Sequence, residues 1–342
     1  MDAWLSNLAV LALVAGGVVL GVRIRRNPLW AGVARSLWRR RPLALLALGG
    51  FVLIALLDSV RWVGGAAVPG QDSVSAFEAR SLVDRALGPE GLREKSYSAP
   101  LAEVEFYGGA ALARPGAHLL GTDVLGRDVL YLTLKGIRVA LLIGGFTSLL
   151  VIPLALFFGV SAGYYGGRID DAVFFVISTL ASIPSLLLLI ALVMVLGRGT
   201  LQVCAALGVT SWVSFCRVSR AETFKLRELD YVSAARALGV SDLRIIFRHI
   251  LPNLAHLIVI TFVLLFSSLV LAETVLAYLG VGVDGSWGEM IDQARNELSR
   301  EPVIWWNLAA ASAALFALLL SVNVLGDAVR DILDPRTLRE LE

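Results

Sequence analysis

An ionisable side chain inside an apolar run is the first place in this chain where chemistry could be done. Glu273 lies within residues 257–283, and a charge there is costly in lipid, so it normally faces the protein interior or a water-filled path. Its role would be a hydrogen bond between helices or a place near a substrate path or outer gate. Other reactive types are sparse, with three histidines and two cysteines in all. His118 is the only histidine of residues 58–138, a segment without cysteine and without a nucleophile, base and orienter set. Cys204 and Cys216 lie in or beside one apolar run, without metal-ligand spacing or a disulfide framework, and read as packing residues. No phosphate loop of the form GxxxxGK[ST] occurs, so this polypeptide does not itself supply an ATP-hydrolysing motif. No catalytic residue and no metal ligand is assigned.

The elements that must position these residues are membrane spans. The chain has 342 residues, 57% apolar and 17% charged, with a mean hydropathy of +0.75. An ordinary soluble domain is about 45–50% apolar, so this reads as an all-α polytopic membrane protein. The net charge of +2 gives nucleic-acid binding no support. Residues 3–22 are apolar except for Ser6 and Asn7, long enough to cross a roughly 30 Å hydrocarbon core. Asp2 and the lack of Lys or Arg before this run argue against a secretory signal peptide. Seven arginines and no acid follow in residues 23–41, which the positive-inside rule makes a cytoplasmic linker. A span at 42–57 comes next, flanked by Trp38 and Trp62. Residues 58–138 hold no membrane-length apolar run and read as one extracytoplasmic insertion. Further spans are expected at 139–163, 172–196, 199–216, 257–283 and 303–326, the last opening on the interface pair Trp305 and Trp306. Pro153 and Pro184 fall mid-run, where they would kink helices and either line a pathway or only shape packing.

Charge distribution gives the orientation. Segments 23–41, 166–171, 217–256 and 327–342 hold 18 Lys/Arg and 11 Asp/Glu, against 12 and 15 for segments 58–138, 197–200 and 281–302. The first group is therefore cytoplasmic, giving seven helices with the N-terminus outside and a cytoplasmic tail at 327–342.

Two stretches have informative wording. Residues 121–129 spell GTDVLGRDV, which taken alone is a turn with Thr122 or Asp123 capping a short helix. Residues 231–253 spell YVSAARALGVSDLRIIFRHILPN. Good helix formers extend over 222–238, and Gly239 follows where a left-handed C-cap is favoured. Ser241 is a plausible N-cap with Asp242 in the first turn, and Pro252 stops the second helix. Leu243, Ile246, Phe247 and Ile250 share one face at helical spacing, while Arg244, Arg248 and His249 lie elsewhere. The pattern is helix, glycine turn, amphipathic helix. By periodicity alone it reads as an interfacial helix resting on headgroups.

Letter by letter, however, this segment resembles the cytoplasmic signature loop of ABC importer permeases: Glu-Ala-Ala, three residues, Gly, nine residues, Ile-x-Leu-Pro. Ser233, Ala234, Ala235, Gly239, Leu251 and Pro252 stand at that spacing. Ser233 replaces the Glu and His249 the Ile, and the HILPN ending is similar to the peptide branch. Gly121, Thr122, Asp123, Gly126, Arg127 and Asp128 resemble the segment before the second shared helix of dipeptide and oligopeptide permeases. AGYYGGRIDD at 162–171, LAETVLAYLGVGV and SWGEMI within 271–291, and GDAVRDILDPR at 326–336 are similar as well.

The resemblance extends over 121–336, with the wordings in the family's order. It implies a type I ABC importer permease core of six helices at 139–326, with an ATPase-coupling loop at 217–256. The helix at 1–22 and the insertion at 58–138 are additions. It further implies the second permease subunit of a di- or oligopeptide importer in a bacterial cytoplasmic membrane, a transport subunit rather than an enzyme. Its partners would be a homologous permease, two ATPase subunits carrying ATP and Mg, and an external solute-binding protein that delivers peptide. In that frame residues 233–250 dock in an ATPase cleft, Gly239 permits the turn, and Leu243, Phe247 and Ile250 hold the short helix. Permeases for nickel chelates or glycosides share these wordings. A proton-coupled secondary transporter built on Glu273, or an enzyme or sensor built on 58–138, would come from other classes, but there is no inverted repeat to support the first.

Overall fold

The computed structural model describes residues 7, 10–11, 14–16, 21–23, 28–63, 79–87 and 94–333. The expected span at 3–22 therefore falls mostly outside the described residues, as do 64–78 and 88–93 of the insertion and 334–342 of the tail. In chain order the elements are α1 (Pro28–Arg40), α2 (Pro42–Ser59), an antiparallel pair β1 (Arg61–Val63) and β2 (Ala79–Ser81), α3 (Leu82–Leu87), α4 (Val129–Leu141) and α5 (Thr147–Tyr165). Then come α6 (Gly167–Ser182), α7 (Ser185–Leu196), α8 (Thr200–Arg227), α9 (Asp230–Ala237), α10 (Asp242–Ile245), α11 (Ala255–Tyr278), α12 (Trp287–Glu297) and α13 (Trp306–Leu333). Five segments among the described residues are long and apolar enough to cross a membrane: Pro42–Ser59, Val129–Tyr165, Thr200–Arg227, Asp242–Tyr278 and Trp306–Ile332. Counting the bent α6 and α7 as one span raises the number to six.

Several boundaries differ from the sequence expectation, each for a physical reason. The helix expected from 139 begins at Val129 and passes through a π turn at Leu142–Phe146 to Tyr165. At 1.5 Å per residue its 37 residues extend about 55 Å, more than a hydrocarbon core. Lys135 and Arg138 interrupt the apolar run without ending the helix because the buried Asp58 receives both and the half-buried Asp84 also receives Lys135. At Pro184 the expected run is bent far more sharply than by an ordinary proline kink: α6 and α7 meet at 89° across it. The helix expected at 199–216 continues to Arg227, and Pro252 does not stop the helical path. The π turn at Ile246–Ile250 and a 3-10 turn at Leu251–Leu254 surround the proline with alternative hydrogen-bond spacings, and α11 follows directly.

One compact unit comprises Met1–Leu141, Ala277–Gly280 and Asp284–Val322. Asp58, 1% exposed at the end of α2, lies 2.8 Å from Lys135 Nζ, 2.7 Å from the Ser81 hydroxyl and 3.8 Å from Arg138 Nη1. Asp84 receives Lys135 at 2.6 Å, the Tyr131 hydroxyl at 2.8 Å and the Ser81 amide at 2.8 Å. Burial pushes the Asp84 carboxyl upward, but the Lys135 ammonium, the Ser81 amide and the Tyr131 hydroxyl outweigh it and hold it at about 2. These contacts fasten α3 and α4 to α2. Trp287 of α12 is buried and donates its indole N–H to the Thr133 carbonyl at 2.8 Å.

The other unit comprises Leu142–Leu276, Val281–Val283 and Asn323–Glu342. Val151, Ile152 and Ala155 of α5 pack with Val173 and Ile177 of α6 and Trp212, Phe215 and Cys216 of α8. A second cluster joins Val160 and Tyr164 of α5 to Val232, Ala235, Ile245, Ile246, Ile250 and Leu254 of the loop between α8 and α11. Cys204 and Cys216 are buried thiols.

Candidate functional site

The loop between α8 and α11 is a compact helix pair. Its first helix is shorter than expected: α8 ends at Arg227, and α9 starts afresh at Asp230. Gly239 closes α9 with a φ of +78°. The Gly239 amide donates to Arg236 O at 3.0 Å and the Val240 amide to Ala235 O at 3.1 Å, the paired bonds of a Schellman turn. Ser241 occupies the N-cap position of α10 but its side chain makes no capping bond. Asp242 instead receives the Tyr164 hydroxyl at 2.7 Å.

The apolar residues of this loop divide between two faces. Val232, Ala235, Ile245, Ile246, Ile250 and Leu254 are buried against α5. Leu238, Leu243 and Phe247 are 83%, 64% and 68% exposed. This corrects the expectation that Leu243 and Phe247 hold the short helix: of the three named, only Ile250 does. Ser233, Ala234 and Gly239 are exposed too, whereas Leu251 is half-buried, and Pro252 exposed. The structure thus brings Ser233, Ala234, Gly239, Leu243 and Phe247 to the outside of one loop, with Ala235 and Ile250 beneath them.

The 121–129 motif is a buried knot. Thr122 and Asp123 are fully buried. The Thr122 hydroxyl donates to Ser96 O at 2.9 Å and accepts from the Ser98 amide at 2.6 Å. Asp123 accepts from the amides of Leu125 and Arg127 at 2.9 and 2.8 Å and from Arg127 Nε at 2.7 Å. Neither caps a helix, contrary to expectation. That role falls to Asp128, which precedes α4 and accepts from the Tyr131 amide at 3.1 Å. Gly121 and Gly126 have φ of +74° and +69°, and a Cβ on Gly126 would lie 1.8 Å from Glu94 O. Trp306 is not an interface residue: it is buried and donates to Thr122 O at 2.9 Å, while Trp305 is 55% exposed. His118 bridges Asp128 at 2.8 Å and Glu94 at 3.4 Å. The Glu94 carboxyl, pushed up by burial, is brought below the usual range by the amides of Ala113 and Arg114 and by His118.

Glu273 is buried and accepts from the Val283 amide at 3.3 Å, so it fastens the turn after α11. A cavity of about 560 Å³ opens between α7, α8 and α11, lined by Ala272 but not by Glu273. Its polar lining is six hydroxyls, Ser185, Thr210, Ser211, Ser214, Thr261 and Ser268, and no charged side chain. Sequence reading missed these, although hydroxyls at i, i+4 and i, i+7 within apolar runs are a legible signal. It also missed Leu238 and Tyr164.

Residues 155–339 match the family described as binding-protein-dependent transport system inner membrane component. The chain is 33% identical over 222 residues to the oligopeptide transport system permease protein OppC of Bacillus subtilis, covering 64% of this chain and 72% of that one. It is 35% identical over 223 residues to the glutathione transport system permease protein GsiD of Pectobacterium atrosepticum, covering 64% and 73%. A chain from inward-facing MetNI methionine ABC transporter structures aligns with a TM-score of 0.49 at 18% identity, covering 59% of this chain and 97% of that one.

Proposed function

The chain belongs to the binding-protein-dependent transport system inner membrane component family, and on that premise we propose that it carries di- or oligopeptides across the bacterial cytoplasmic membrane. It is a transport subunit of an ABC importer, with ATP hydrolysis on separate subunits. A homologous permease would complete the path, two ATPase subunits holding ATP and Mg would drive it, and an external binding protein would deliver the peptide. Relatives named for oligopeptides, dipeptides and glutathione support a short peptide as substrate. The loop at 217–256 is assigned to the cytoplasm and the 58–138 segment to the exterior.

The observation that carries the coupling assignment is the exposed triad Leu238, Leu243 and Phe247 on a hydrogen-bonded helix pair. Apolar side chains held outward by a rigid turn, above a buried apolar layer, are the makings of a protein-docking face. The ATPase is the partner the family supplies, and its closure would push this face as a rigid body. The hydroxyl-lined cavity supports a path that meets substrate through uncharged hydrogen-bonding groups. A proton-coupled mechanism centred on Glu273 has less support, because that carboxylate faces a backbone amide and lies off the cavity.

The test is ATP hydrolysis and peptide uptake by the complex of this chain, its partner permease and the ATPases in lipid vesicles, with and without peptide-loaded binding protein. Stimulated hydrolysis with uptake of the peptide is the expected result. Proton-driven uptake without any associated ATPase would overturn the reading.

A further inference from the structure

The docked loop must move the spans, and its covalent links reach only α8 and α11. A third connection exists. Tyr164, in the last turn of α5 and 4% exposed, donates its hydroxyl to Asp242 Oδ1 at 2.7 Å, across 78 residues of sequence. The Arg236 guanidinium, in the last turn of α9, lies 5.3 Å from the Tyr164 ring centre. Arg227, at the end of α8, donates Nη1 to the carbonyls of Gly163 and Tyr164, each at 3.3 Å. The end of one span is thus held by α8, α9 and α10 together.

We propose that Tyr164 is the positioning residue through which the coupling loop moves α5, its hydroxyl bond to Asp242 carrying the pull when the ATPases reopen. This rests on the docking reading above. The apolar layer beneath Val232, Ile245 and Ile250 resists compression, so it transmits a push. Dispersion contacts are individually weak, collectively large and non-directional, so such a layer holds α5 to the loop without fixing the direction of a pull. A short hydrogen bond to a carboxylate is directional and strong, and supplies the return stroke.

What α5 receives it passes on. A Cβ on Gly159 would lie 2.1 Å from Ser219 Oγ, and one on Gly163 would lie 2.7 Å from Thr223 Cβ. The two glycines, four residues apart, let α5 and α8 approach closely enough to move as a pair. The α8 helix contributes Thr210, Ser211 and Ser214 to the cavity wall. The connection therefore leads from the docking face to the groove.

The experiment compares variants in the full complex in lipid vesicles, reading uptake per ATP hydrolysed. Tyr164→Phe keeps the ring and removes the donor. It is expected to retain the ATPase subunits and stimulated hydrolysis while uptake per ATP falls about tenfold, the scale of one hydrogen bond to a charged acceptor. Asp242→Ala, which removes the acceptor oxygen that an asparagine would retain, should lower the ratio equally, and the double variant should fall no further, because both remove one interaction. A purely structural bond would lower the amount of complex and leave the ratio intact. A wild-type ratio in Tyr164→Phe, or additive losses in the double variant, overturns the proposal. If Phe247→Asp meanwhile loses the ATPases, the docking reading survives that outcome. If Phe247→Asp retains them, the docking reading fails and this proposal with it. Should Tyr164→Phe not reach the membrane, Asp242→Ala alone decides, a wild-type ratio again refuting it.

Discussion

Truncating Phe247 separates a residue that holds the loop together from one that offers it to a partner. Phe247 is 68% exposed. Of the roughly 200 Å² of an aromatic side chain, about 140 Å² is therefore available to a docking subunit. At about 25 cal/mol/Å² this is worth about 3.5 kcal/mol, and the Cβ retained by alanine lowers the difference to about 2.5 kcal/mol. Phe247→Ala should weaken ATPase association roughly 70-fold. The same change should leave the stability of the isolated permease within about 0.5 kcal/mol, as expected of a surface position. Ile250→Ala is the control: Ile250 is fully buried, and its truncation should cost about 2–5 kcal/mol of stability. The assay is titration of purified ATPase onto the permease pair in lipid nanodiscs, beside thermal unfolding of the pair alone. An association constant for Phe247→Ala within twofold of wild type would refute the docking face. A loss of stability matching that of Ile250→Ala would show that the side chain supports the loop instead.

Gly239 has a φ of +78° and no atom within 4 Å of a built Cβ, so substitutions there should rank by backbone preference alone. Gly239→Asn should couple hydrolysis to uptake nearly as wild type and Gly239→Val should lose most coupling; the reverse order would show that side-chain contact matters more than the turn. Gly126→Ala, whose Cβ would overlap Glu94 O, should cost about 3 kcal/mol or more through overpacking and strain, read as a lowered Tm; an unchanged Tm would refute the tight packing of the knot. Glu297 is 1% exposed, and burial raises its carboxyl above the usual range despite bonds from Asn307 and Tyr97. An acid whose folded pKa is raised loses stability as pH climbs above its unfolded value of about 4.3. Glu297→Gln should therefore raise Tm at pH 8 by more than at pH 5; equal shifts at both would contradict a titrating Glu297.

Two apolar surfaces were written into residues 243–250, and only their sum was legible in the sequence. On an ideal wheel Ile246, Ile250, Leu243 and Phe247 fall within about 100°, a width that one buried stripe fills. Ile245 lies outside that arc, yet it is buried, so the inward face is centred nearer Ile245 and Ile246. Leu243 and Phe247 are left at its flank and turn outward, and the π turn at Ile246–Ile250 alters the register further. Hydropathy counts an apolar side chain the same whether its own chain or a partner covers it. The same limit hid the helical character of 129–138, where Lys135 and Arg138 read as solvated until Asp58 and Asp84 are placed beside them. Glycine turns and spacing, by contrast, are local properties. Gly239 and its Schellman bonds follow from residues within one turn, and that part of the site was readable before any tertiary contact was known.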